Sequence, residues 1–196
     1  ELCGKTDVVL VLDRSGSMSG SALSSAKDAA KTFVDVLDFN SDQAASASFA
    51  SSASLEQGLT TNGTAVKNAI DTISSGGSTC IACGIDTAQA ELDANGRFDS
   101  NHVIVLLSDG SPNIGDTLGA ASDAKAAGTT IFTVGIGGAD VSLMEDIASD
   151  PSYFSFGTED DLEQIYTEIA DEVCQLPDPG DEEVPEFGTL AAIGVL

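Results

Sequence analysis

The sequence predicts a doubly wound, mostly parallel open α/β sheet flanked by helices. Three observations carry that expectation. The runs DVVLVLD (7–13), HVIVLLSD (102–109) and TTIFTVGIG (129–137) are apolar without alternation, as in strands buried on both faces of a parallel sheet. Between such runs the apolar residues recur at three- and four-residue spacing, the period of a helix with one buried face. Strand and helix patterns then alternate along the chain, the order of a sheet covered on both sides.

Taken in order, strand 7–13 leads into a helix whose buried face is Leu23, Ala26, Ala30, Phe33, Val34 and Leu37, with Ser19 or Ser21 as its cap. QAASASFAS (43–51) is a weaker strand, and ASLEQGL (53–59) pairs with it as an edge hairpin. Val66, Ala69, Ile70 and Ile73 mark a second helix, and Ile81, Ile85, Ala88 and Leu92 a third. Strand 102–109 precedes a short helix in GAASDAKAAG (119–128), and strand 129–137 precedes one marked by Leu143, Met144 and Ile147. SYFSF (152–156) is a short last strand, before a final helix on Leu162, Ile165, Tyr166, Ile169 and Val173. A domain over 1–174 is expected, with no internal repeats. QLPDPGDEEVPE (175–186) then reads as an acidic Pro-rich linker, and FGTLAAIGVL (187–196) as an apolar tail.

A chain of 196 residues, 42% hydrophobic, is long enough to bury a core. Aromatics at 5% and no Trp make that core one of Val, Ile, Leu and Ala. Charge is the anomaly. Seven basic residues face 32 acidic ones, a formal net charge of −25. Nucleic acid and anionic lipid surfaces both need Lys and Arg, so neither is expected as a partner. The acidic excess reads as a solvation device of the halophilic kind, ahead of a surface made for a basic partner.

Four cysteines, Cys3, Cys80, Cys83 and Cys174, allow three pairings. Cys3 precedes the first strand and Cys174 closes the last helix, so their pairing would staple the two ends of the domain. Cys80 and Cys83 would then close a short local loop. Residues at i and i+3 of a helix start come within disulfide reach, and C-x-x-C lacks a thioredoxin-like first strand here, so a structural bridge is expected over a redox centre. Domain-end staples belong to oxidising compartments, which places the protein outside the cell or on its surface; four reduced thiols in a cytosolic protein are the alternative. No signal peptide remains at Glu1, as in a chain matured after export.

Ligands of an open α/β sheet sit at the carboxyl ends of its strands. Asp13 ends the first strand and Asp109 ends strand 102–109, so their carboxylates converge if those strands are neighbours. Ser15 and Ser17 follow Asp13 at every second position, and the glycine-rich turn SSGGSTCIACGID presents Thr79 at a helix start. All five ligate through oxygen, which suits Mg²⁺, Mn²⁺ or Ca²⁺ and disfavours Zn²⁺. Each has a plainer reading: serine turns, a helix cap at Thr79, aspartates facing water. The set in combination favours one divalent cation, Mg²⁺ first.

These residues resemble the von Willebrand factor type A domain with a metal-ion-dependent adhesion site. The resemblance covers roughly residues 6 to 174: DRSGS matches the family's Asp-x-Ser-x-Ser, GGSTCIACGI its threonine turn and SDGSPN its second aspartate. SFASSASLEQGLT is similar to the family's second and third strands, and TVGIG to its fifth. It implies a Rossmann-like fold, Asp13, Ser15 and Ser17 in the first metal loop, and Thr79 and Asp109 as direct or water-mediated ligands. It also implies an open coordination position, filled by an Asp or Glu carboxylate from a partner protein. Cys80 and Cys83 depart from the family, which has Thr, Ser or Asn around that turn.

The expected function is that of an extracellular metal-dependent protein-binding module, as a subunit of a cell-surface assembly or filament with neighbouring copies of itself as partners. The alternative is a monomeric adhesin anchored to a membrane. An enzyme is not expected: His102, the only histidine, starts a strand, and nothing activates Ser15 or Ser17. VPEFGTLAAIGVL resembles the start of archaeal Pro-Glu-Phe sorting tails, although the ten-residue stretch 187–196 falls short of the ~20 that span a bilayer. Its Phe187, Leu190, Ile193, Val195 and Leu196 are expected either to be the remnant of an anchor or to dock on a neighbouring subunit.

Overall fold

β1 (Thr6–Asp13) and β4 (Asn101–Ser108) form the central pair of a six-stranded sheet in the computed structural model, which describes residues 4–177 and 179. The others are β2 (Gln43–Phe49), β3 (Ala53–Thr60), β5 (Thr130–Ile136) and β6 (Phe154–Gly157), in the order β3-β2-β1-β4-β5-β6. Every pairing is parallel except β2 with β3, the edge hairpin. The doubly wound, mostly parallel sheet is therefore the fold of this chain.

Burial on both faces explains why the central strands lack alternation: all eight residues of β1 are buried. Val8, Leu10 and Leu12 point into one layer with Val103, Val105 and Leu107 of β4. That layer is closed by α1 (Ser21–Val36), α2 (Gly63–Thr72) and α6 (Leu162–Cys174) through Phe33, Val66, Ile70 and Tyr166. Val9 and Val11 point into the other layer, under α3 (Ile81–Asn95), α4 (Thr117–Ala126) and α5 (Val141–Ile147). α3 comes close to the sheet because Gly84 has no side chain. A Cβ there would stand 2.7 Å from Phe49 Cδ1 and 3.0 Å from Val11 Cγ1. Gly84→Ala is therefore expected to destabilise by about 1–3 kcal/mol through overpacking; an unchanged urea midpoint would contradict that contact.

Three local details differ from the sequence expectation. The cap of α1 is Gly20, not Ser19 or Ser21. Residues Gly16–Met18 form a 3₁₀ turn, and the chain leaves it at φ 85°, a conformation that costs a glycine little and a serine more. α4 starts at Thr117 rather than 119, because Asp116 caps it by accepting from Gly119 N at 3.0 Å. β6 spans 154–157 rather than 152–156, since Pro151–Tyr153 make a 3₁₀ turn capped by Asp150.

The amino edge of the sheet is closed by a buried charge. Asp7 accepts from Arg97 N at 2.6 Å, from its guanidinium at 2.9 Å (Nε) and 2.6 Å (Nη2), and from Ser100 Oγ at 2.7 Å. Arg97 Nη1 also donates to Ser41 O at 2.7 Å. The α3–β4 turn is thus fixed to the start of β1, and it holds Phe98 out in solvent, 97% exposed.

Cys80 and Cys83 are joined by a disulfide, with Cα atoms 5.3 Å apart. Cys174 is also disulfide-bonded. Cys3 lies outside the described residues, as do Phe187, Leu190, Ile193, Val195 and Leu196 and nearly all of the 175–196 segment beyond 177. Among the described residues no helix is long and apolar enough to cross a membrane.

Candidate metal centre

Three loops meet at the carboxyl end of the central strands. The first follows β1: Asp13 closes the strand, and its Oδ1 accepts from Ser15 N at 2.7 Å, folding the chain back on itself. The 3₁₀ turn then lifts Ser17 toward the next strand. The second precedes α3. Gly76 N donates to Arg14 O at 2.7 Å, Gly16 N to Gly77 O at 3.0 Å, and Cys80 N to Ala50 O at 2.8 Å. Gly77 sits at φ 94°, and a Cβ on it would meet Ser51 Oγ at 2.9 Å, so only glycine lets the loop lie this close. The third follows β4 and carries Asp109; Asn113 joins it to the second, its N donating to Thr79 O at 3.0 Å and its Oδ1 accepting from Thr79 N at 3.2 Å.

Parallel pairing of β1 and β4 brings the side chains together. Ser15 Oγ lies 3.0 Å from Ser17 Oγ, and Ser17 Oγ donates to Asp109 Oδ1 at 2.7 Å. Thr79 Oγ1 and Ser17 Oγ both come within 4.0 Å of the point where a Gly110 side chain would begin. All five residues singled out in the sequence therefore line one place. Asp13, Ser15 and Thr79 are buried there, Asp109 is half-buried and Ser17 is exposed, so the cluster opens on the side of the last two. Burial pushes the Asp13 carboxyl up from its ordinary value; hydrogen bonds from Ser108 and Ser15 pull it down, and the charge of Asp109 adds to the rise.

Two contributors were not singled out by sequence reasoning. Ser108 Oγ donates to Asp13 Oδ2 at 2.6 Å, so both carboxylate oxygens of Asp13 are oriented. Asn113 positions Thr79, as described. The signal for both was the stretch SDGSPN, whose aspartate alone drew attention. Arg14, inside DRSGS, turns away: its Nε donates to Ser48 Oγ at 3.1 Å, which in turn donates to Glu56 at 2.6 Å.

The donor set fits a hard cation. All five side chains ligate through oxygen, the donor that Mg²⁺, Mn²⁺ and Ca²⁺ take, and Ser15, Ser17 and Asp109 already lie within hydrogen-bond reach of one another. Among the described residues no group of three or more His, Cys, Asp and Glu gathers that could hold a metal. Two carboxylates and three hydroxyls are what the cluster offers.

Beside the open side runs a cleft of about 520 Å³. Ser17 and Asp109 of the cluster line it together with Ile136, the half-exposed Phe156, Glu159 and Asp160.

Fold and site together define an α/β module with an oxygen-lined cluster at the carboxyl end of its sheet. The family model of the von Willebrand factor type A domain matches residues 7–168, and the chain belongs to that family. An uncharacterized protein of Synechocystis sp. is 35% identical over 139 residues, covering 67% of this chain and 32% of the relative. The chain thus spans about a third of that relative's length. Among solved structures, proximal thread matrix protein 1 of the mussel byssus superposes with a TM-score of 0.80 at 27% identity, over 88% of this chain and 47% of its own. A further structure of the mussel protein, at 26% identity and TM-score 0.78, over 88% of this chain and 46% of its own, has zinc in its metal-ion-dependent adhesion site. The domain of the type V pili tip protein Mfa5 of Porphyromonas gingivalis has a TM-score of 0.80 at 16% identity, over 91% of this chain and 99% of that one, a likeness of fold.

Proposed function

We propose that this chain is a metal-dependent protein-binding module acting outside the cell. Asp13, Ser15, Ser17, Thr79 and Asp109 hold one divalent cation, Mg²⁺ ahead of Mn²⁺ or Ca²⁺, and a partner protein supplies an Asp or Glu carboxylate to it. The observation that carries this reading is the convergence of five oxygen donors, only two of them charged, buried on one side and open at Ser17 and Asp109. Two carboxylates leave a divalent cation able to accept a third, and the cation draws that acidic group to an otherwise acidic surface. The cation supplies attraction and an open coordination position; the chain orients the donors. Similarity to a mussel thread matrix protein supports an adhesive or structural role, and the zinc in its site supports a divalent cation.

The Cys80–Cys83 bond supports an oxidising location. We extend the same reading to a Cys3–Cys174 staple, a domain over 1–174, the 175–186 linker and the 187–196 tail. Membership of a surface assembly is favoured over an anchored monomer. Binding is favoured over catalysis because His102 stands at the amino end of β4, opposite the cluster, bonded to Arg97 O at 3.0 Å.

A cation held only by the folded state raises stability by about 2.7 kcal/mol at a hundredfold excess over its Kd. Scanning calorimetry should therefore show a higher midpoint in Mg²⁺ than in chelator. Equal midpoints in Mg²⁺, Mn²⁺, Ca²⁺ and chelator would remove the cation from this function.

A further inference from the structure

The exposed Phe98 is the most solvent-exposed large apolar side chain among the described residues, and no packing requires it there. It does not stand alone. Asp99 follows it, exposed and paired with Lys5 at 2.5 Å. The turn that carries both is held on either side: Arg97 by its bonds to Asp7, Ser100 by its own bond to Asp7 and a backbone contact to Arg97 O at 3.4 Å. An apolar knob followed by a carboxylate is therefore presented by a rigid turn, with little ordering left to be done on binding.

We propose that this turn is the partner of the metal site, in a second copy of the same chain: Phe98 enters the cleft beside the cluster and Asp99 delivers the acidic ligand. The proposal rests on the metal-dependent reading above and names its partner. Adjacency matches on the two sides. Phe98 and Asp99 are neighbours in sequence, and the cleft's apolar walls, Ile136 and Phe156, share one cavity with Ser17 and Asp109 of the cluster. Charge matches too. Of only seven basic residues, Lys5 stands beside the knob, while Glu159 and Asp160 line the cleft. Lys5, released when Asp99 leaves it, then faces carboxylates.

The geometry dictates what such a contact builds. The turn precedes β4 and the cluster follows it, so knob and cleft lie at opposite ends of the sheet, roughly 25 Å apart for eight residues of strand. One copy cannot satisfy itself. The contact is head-to-tail, so copies join end to end, into a filament where the rotation between them does not close and a ring where it does.

The test is sedimentation velocity of the full chain over a concentration series, with Mg²⁺ or with chelator. Salt on the order of 1 M screens the repulsion between chains of charge −25. Wild type should lengthen with concentration in Mg²⁺ and stay monomeric in chelator. Phe98→Ala and Asp99→Asn alter only exposed side chains, so at concentrations where wild type is still monomeric both should keep its melting midpoint and calorimetric Mg²⁺ affinity, yet associate at least tenfold more weakly as concentration rises. Phe98→Ala retains the cleft and Asp13→Ala retains the knob; mixed, they should form 1:1 dimers and nothing longer. Mg²⁺ binding without association, or association unchanged in Phe98→Ala, would overturn the proposal and leave the metal site standing. Association that persists in chelator would overturn it as well. Failure of wild type to bind any cation would sink the metal reading, and this proposal with it.

Discussion

Asp13→Ala is expected to bind no measurable Mg²⁺ in calorimetry, while remaining folded. Asp13 is fully buried, and both of its carboxylate oxygens are already oriented, one by Ser15 N and one by Ser108 Oγ. Such a group brings its charge to the cation with nothing left to rearrange. Groups that only orient a ligand typically contribute 10–100-fold in metal affinity. Ser108→Ala should therefore bind about 10–100-fold more weakly, and Asp13→Ala should fall beyond that range. The ordering is the test. If Asp13→Ala binds as tightly as wild type, the cluster is a hydrogen-bonded turn and the cation belongs elsewhere.

Arg97→Ala should cost about 3–5 kcal/mol of folding stability, the range for breaking a buried ion pair by removing one partner. Asp7 is fully shielded from water, and the Arg97 side chain is 28% exposed. Among the described residues the guanidinium supplies two of the four hydrogen bonds to Asp7 and its only opposite charge within salt-bridge distance. Without it a carboxylate stays buried against Ser100 and one backbone N–H. Asp7→Asn in the Arg97→Ala background should recover part of the loss, because it removes the stranded charge. Urea denaturation reads both; a loss below about 1 kcal/mol for Arg97→Ala would mean that water reaches Asp7.

The strands were legible where burial on both faces suppresses alternation, as in β1, β4 and β5. β2 was harder because its buried residues, Phe49 apart, are Ala and Ser, weak as a hydrophobic signal. The Gly20 cap was not legible: two serines nearby satisfy the usual preference, and the positive φ follows from a 3₁₀ turn that has no sequence period. Asp13, Ser15 and Ser17 could be read as a unit since their spacing is local. Thr79 and Asp109 needed a fold to bring them near, and the fold was predictable. The Asp7–Arg97–Ser100 clamp was missed because Asp7 lies 90 and 93 positions from Arg97 and Ser100 in sequence. No local pattern signals such a contact.

The bond from Ser108 to Asp13 joins residues 95 positions apart in sequence, and the cluster exists only once β1 and β4 have paired around it. That separation has a kinetic consequence. Closing so long a loop is slow, and contacts of high sequence separation are made late. A cation captured by this site stabilises an arrangement that the folding transition state has not yet reached, so its effect falls on the unfolding rate. Refolding in Mg²⁺ and in chelator should then proceed at similar speed, while unfolding in Mg²⁺ slows by nearly the whole equilibrium gain. Under the proposed function, persistence once folded is the quantity that the cation controls.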